Sequence, residues 1–119
     1  MKLIVREAES AALERWLQPH DVLASSALLR TEKLRAVRRG APRRIAEARA
    51  ALAAFTLRAV DDEILDAAGD LAPAFIRSLD AIHLATALRL APELDAIVTY
   101  DRRMIEGARA IGLPVASPA

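Results

Sequence analysis

The chain has 119 residues, of which 54% are hydrophobic and only 3% aromatic, with a formal net charge of +1 and no cysteine. That length suits one domain, residues 1–119, built on an aliphatic, alanine-rich core. Disulfides and thiolate metal sites are excluded, and a reducing cytoplasm is the expected location. No apolar run approaches the ~18 residues of a membrane span. Lys2, Arg6, Glu7 and Glu9 leave the first ten residues too charged for a signal peptide.

In chain order, Met1 to Val5 is a short apolar run. Leu13, Trp16 and Leu17 recur at helical spacing, predicting a helix over Glu9–Leu17 that stops before Pro19. After a turn at His20-Asp21, Val22–Ser25 reads as a strand. Ser25 or Ser26 caps a helix running to about Arg39, and Gly40-Ala-Pro42 ends it. A further helix spans Arg44 to about Phe55, and Thr56–Val60 reads as a strand. Asp61 caps a helix over Asp62 to about Leu71. Leu79–Leu90 follows, apolar almost all round and so buried, with Ser78 placed to cap it. Ala96–Tyr100 is the clearest strand; a helix from Asp101 to about Ile111 and a strand at Pro114–Ser117 complete the chain. Strands alternating with helices predict an α/β domain with a mostly parallel sheet.

Charge is unevenly spread. Arg30–Arg49 holds eight basic and two acidic residues, +6 in all, which leaves −5 for the remainder. Such a segment is either a solvated helical face or a surface that attracts phosphates.

Three acids break the local pattern. Asp101 directly follows the strand ending at Tyr100, and ligands of open parallel sheets bind beyond the carboxyl ends of the strands. It is equally suited to cap the next helix. Glu32 lies on the inward stripe of its helix with Leu28, Leu29 and Ala36, whereas Arg30, Lys33 and Arg38 point elsewhere. A buried-edge arginine is one way to compensate it. Asp80 sits in the first turn of the buried helix, where the dipole favours a negative charge. His83 shares its face three residues on, as a packed or hydrogen-bonded imidazole able to orient Asp80 or a neighbour. Together the acids point to a hard divalent cation, Mg²⁺ or Mn²⁺ rather than Zn²⁺, able to polarise a phosphodiester. Asp61, Asp62 and Glu63 read as a solvated helix start, and His20 has no evident partner. Glycine-rich phosphate loops, HExxH and nucleophile elbows are absent from the sequence.

Ser26-Ala-Leu-Leu-Arg-Thr-Glu32-Lys-Leu-Arg-Ala36, Leu79-Asp80-Ala-Ile-His-Leu-Ala-Thr-Ala87, Thr99-Tyr-Asp101-Arg-Arg-Met104 and the closing Gly112-Leu-Pro-Val115 resemble the PIN-domain ribonucleases, specifically VapC-type toxins. The resemblance runs in order from residue 1 to the C-terminus. It implies a three-layer domain with helices on both faces of the sheet. Glu32, Asp80 and Asp101 would form an acidic Mg²⁺ or Mn²⁺ site that cleaves RNA, with Thr99 as a supporting hydroxyl. Arg30, Arg38, Arg39, Arg43 and Arg44 would help to bind the RNA. A homodimer and an inhibitory VapB-type antitoxin are implied as partners.

One departure stands out. The family opens with a central strand that carries a first catalytic Asp, whereas the first Asp here is Asp21. Met1–Glu7 resembles the helix that follows that strand. The expectation is therefore an N-terminally incomplete domain whose central strand is missing, with a true start upstream of Met1. The alternative is a catalytically inactive remnant that acts only as an antitoxin-binding module. A general nucleic-acid-binding α/β domain, in which the basic segment matters and the acids do not, is a third reading.

Overall fold

The computed structural model describes residues 2–5, 15–19 and 21–118. Five parallel strands, β1 (Lys2–Val5), β2 (Val22–Ser26), β3 (Thr56–Arg58), β4 (Ala96–Val98) and β5 (Val115–Ala116), form one sheet in the order β3-β2-β1-β4-β5. Among the described residues the longer helices are α1 (Leu28–Gly40), α2 (Ile45–Leu52), α3 (Asp62–Gly69), α4 (Ser78–Arg89) and α5 (Arg102–Ala110). The α/β architecture expected from the alternating pattern is present.

The expected gap at the centre of the sheet is not. Lys2–Val5, which the resemblance assigned to a helix, pairs with β2 on one side and β4 on the other. Two flanking strands would otherwise face each other with unpaired amides and carbonyls, and a short apolar segment satisfies both edges at once. What distinguishes this strand from the family's opening strand is its sequence, Lys-Leu-Ile-Val, which has no carboxylate.

Chain direction across the sheet reverses at β1. Strands β2 and β3 extend to one edge, β4 and β5 to the other, so the topological switch point lies between β1 and β4. On one face Leu84 and Ala87 of α4, Ile97 of β4, and Met104 and Ala108 of α5 form a core with Leu113, and Ala24 of β2 packs against it. On the other face Trp16, Leu17, Leu23 and Phe55 cover Ala96 and Val98. Gly107 lets α5 lie close to α4, because a Cβ there would stand 3.1 Å from Leu84 Cδ1.

Local chemistry sets several boundaries. Asp61 accepts the Ile64 N–H at 2.9 Å and caps α3 as expected. After α5, Gly112 turns the chain at φ +80°, a conformation that favours glycine. Other expectations need correction. Arg77, not Ser78, occupies the cap position of α4, without a side-chain hydrogen bond. This helix is not buried all round either, for Leu79 and Leu88 are exposed. On α1 the inward stripe is Leu29, Lys33 and Val37, while Ala36 is exposed. Lys33 does not point outward; its long aliphatic stem makes it compatible with that stripe. Arg15 and Trp16 are helical; the rest of the expected Glu9–Leu17 helix up to residue 14, and His20, lie outside the described residues.

Candidate active site

The register aligns the strand ends that hold the site. Ala24 and Ile97 both pair with Ile4. Two residues further along, Ser26 on β2 and Thr99 just past β4 therefore stand level at the carboxyl end of the sheet. By the two-residue alternation of strands, both side chains turn to the face covered by α4 and α5. Both are wholly buried.

On the β2 side, three side chains form a continuous hydrogen-bonded chain. Ser26 Oγ lies 3.1 Å from Nδ1 of His83, and Nε2 of His83 lies 2.7 Å from Oε1 of Glu32. Ser26 and His83 are buried, whereas Glu32 is 22% exposed at the rim. Among the described residues, a histidine from α4 is a basic partner of Glu32. Ser26 Oγ also accepts the N–H of Leu28 at 3.2 Å, so the serine serves the start of α1 as well. Asp80 is half-buried in the first turn of α4, one turn before His83 on the same face.

On the β4 side, Asp101 caps α5. Its Oδ1 accepts the N–H groups of Arg103 at 2.8 Å and Met104 at 3.4 Å, while its own N–H donates to Thr99 Oγ1 at 3.1 Å. Thr99 thus fixes the turn that presents Asp101. The segment after β5 braces this turn, with Ser117 Oγ donating to Thr99 O at 2.5 Å and the Tyr100 hydroxyl to Pro118 O at 2.6 Å.

The fold thus joins Glu32 directly to the helix that holds Asp80, and places Asp101 at the same end of the sheet beside the switch point. Among the described residues, no three His, Asp or Glu side chains converge closely enough to enclose a metal ion by themselves. The donor set nevertheless fits a hard cation in kind. All three groups are carboxylates, and Glu32 is oriented by an N–H donor, as ligating carboxylates commonly are. Mg²⁺ in particular keeps several waters and is held by one or two carboxylates plus substrate phosphates, without a closed protein cage.

The arginines are arranged differently from the acids. Arg30, Arg38, Arg39, Arg43 and Arg44 are all exposed. Arg38 and Arg39 lie in the last turn of α1, about 10 Å along the helix axis from Glu32. Arg43 and Arg44 follow in a short 3₁₀ turn. Arg30 faces a cavity of about 460 Å³ between α1, α2 and β3, lined also by Leu34, Arg49, Leu52, Phe55 and Leu57. None of the three acids lines that cavity, so it is separate from the candidate active site.

Sequence reasoning missed the role of Ser26, which it read only as a helix cap. The usable signal was its position two residues after Ala24 on the same strand face.

With this geometry in place, comparison with known proteins defines the class. A model of the PIN domain matches residues 1–110. Ribonuclease VapC46 of Mycobacterium tuberculosis is 45% identical over 119 residues, covering 100% of this chain and 92% of the relative. Ribonuclease VapC47 of the same species is 40% identical over 98% of this chain and 90% of its own. A toxin–antitoxin complex from Klebsiella pneumoniae superposes with a TM-score of 0.72 at 17% identity, over 100% of this chain and 98% of that one. The chain belongs to the PIN-domain family, and its relatives by sequence are VapC-type ribonucleases.

Proposed function

We propose that this protein is a VapC-like endoribonuclease that hydrolyses RNA phosphodiester bonds with Mg²⁺ or Mn²⁺ held by Glu32, Asp80 and Asp101. The observation that carries this reading is the hydrogen bond between Glu32 of α1 and His83 of α4, the helix that also bears Asp80, with Asp101 following β4 in the same sheet. Membership of the PIN family and 40–45% identity to proteins named as VapC ribonucleases support it. When bound, the cation supplies Lewis-acid polarisation of the phosphodiester and a more acidic attacking water. The protein's own contribution is positional. Thr99 and the α5 amides hold Asp101, His83 holds Glu32, and the buried helix α4 holds Asp80. Arg30, Arg38, Arg39, Arg43 and Arg44 neutralise RNA phosphates. A VapB-type antitoxin, a homodimeric state and a cytoplasmic setting belong to the same reading.

The sequence of β1 favours a second reading. Lys-Leu-Ile-Val puts no carboxylate on the central strand, which in the resembling family carries a catalytic Asp. A PIN domain lacking that ligand would serve as an antitoxin-binding module without cleaving RNA. RNA cleavage by the 119-residue chain in Mn²⁺ and Mg²⁺, with Asp80→Asn as control, separates the two. Cleavage abolished by Asp80→Asn and by EDTA supports the enzyme. A folded chain that binds antitoxin but cleaves no RNA supports the module.

A further inference from the structure

We propose that His83 is a positioning residue that fixes the Glu32 carboxylate for cation binding, and that Ser26 fixes the His83 ring in turn. This inference rests on the reading of Glu32 as a metal ligand.

The hydrogen-bond inventory determines which ring nitrogen carries the proton. Glu32, as a carboxylate, is an acceptor only. A neutral His83 must therefore present Nε2–H to Oε1 at 2.7 Å, because a lone pair there would face another lone pair. That leaves Nδ1 as an acceptor, so the group 3.1 Å away has to donate. Ser26 meets that need. Its oxygen already accepts the Leu28 N–H at 3.2 Å, and its own hydroxyl proton remains for Nδ1. With a neutral ring, each of the three groups thereby has one compatible role.

The location makes this more than a satisfied buried histidine. Ser26 and His83 are 0% and 2% exposed, so the supporting end of the chain is sealed within the protein. Glu32, at the other end, stands partly open to solvent. A rigid, buried donor behind a partly exposed carboxylate restricts its rotation. It also ties α1 to α4, the helix that bears Asp80. Glu32 and Asp80, as residues that would hold a cation, lie on elements that are already cross-linked. Hydrogen bonds that orient metal ligands in this way contribute about 10- to 100-fold in metal affinity.

The test uses Mn²⁺ alone, titrated into the full 119-residue chain and followed by electron paramagnetic resonance, with thermal melting recorded in parallel. His83→Leu should weaken Mn²⁺ binding about 10-fold or more. His83→Gln should recover most of that loss, because its amide N–H can donate to Glu32 from near the Nε2 position. Ser26→Ala should give a smaller loss, since the ring keeps its place but loses the donor that sets its tautomer. In the wild type, nitrogen-15 spectra of the imidazole should show the proton on Nε2. A folded His83→Leu chain that binds Mn²⁺ as tightly as wild type overturns the proposal. If His83→Leu does not fold, wild-type Mn²⁺ affinity in a folded Ser26→Ala chain overturns it instead. Glu32→Gln distinguishes the two levels of failure. If it too leaves Mn²⁺ binding unchanged, the metal-ligand reading of Glu32 fails, and the role of His83 fails with it. If Glu32→Gln weakens binding while His83→Leu does not, only the role of His83 is refuted.

Discussion

Glu32 illustrates how far a residue's setting can be inferred from spacing. Its place on the inward side of α1 follows from the positions of Leu28 and Leu29, and it is indeed half-buried. Its partner was not inferable, because His83 lies 51 residues away and meets it only through the packing of α4. Ser25 shows the opposite case, a buried group with nothing to do. Its Oγ is wholly buried and has no hydrogen-bond partner among the described residues. Burying a hydroxyl without a partner costs on the order of 1–3 kcal/mol. Replacing Ser25 by Ala removes that penalty and leaves only a small void. Ser25→Ala should therefore stabilise the chain by about 1 kcal/mol, read as a rise of about 4 °C in melting temperature.

At the scale of elements, Asp101 has two separable duties. As cap of α5 it accepts two backbone N–H groups; as a proposed metal ligand it offers a carboxylate. Serine preserves the first duty and removes the second. Asp101→Ala should lower stability by about 1 kcal/mol, whereas Asp101→Ser should leave it nearly unchanged. Both should abolish Mg²⁺-dependent RNA cleavage, so melting and cleavage assays on the same two variants separate the roles. The seam between α4 and α5 depends on a different pairing. Leu84 is wholly buried and lies against the position of Gly107. Leu84→Ala should cost about 2–5 kcal/mol, measured by urea denaturation, because neighbours close only part of the cavity. Asp61 and Asp101 were legible as caps because capping is local chemistry. Ser78 was not a reliable guide to the start of α4, for in the fold the helix begins at that residue, with Arg77 at the cap position.

Across the whole molecule, charge is segregated along the chain. The +6 of Arg30–Arg49 falls on α1, the 3₁₀ turn and α2, while Asp61, Asp62, Glu63 and Asp66 begin and line α3. Arg89 of α4 pairs with Glu63 of α3 on the acidic side. A substrate of phosphates would therefore extend from the acids toward the C-terminal end of α1. RNA binding should weaken steeply with salt. Arg43→Ala with Arg44→Ala should lower the slope of log affinity against log salt by about 0.7 for each phosphate no longer neutralised. Filter binding of a short single-stranded RNA at several salt concentrations measures this. A slope unchanged in the double variant would place the RNA elsewhere.

The sequence by itself determined the class of fold, the helix-capping acids, the basic tract and the three carboxylates that interrupt apolar patterns. These are short-range properties, set by 3.6- and 2-residue periods, by the chemistry of helix ends and by net charge within a segment. Tertiary structure decided what depends on distant partners. It placed Lys2–Val5 as the central strand, because two flanking edges with unpaired backbone groups accept an apolar segment whatever its local preference. It turned Lys33 inward and Ala36 outward on α1. It also set Ser26, His83 and Glu32 in one line, since only the meeting of β2, α1 and α4 brings those three side chains within hydrogen-bond distance.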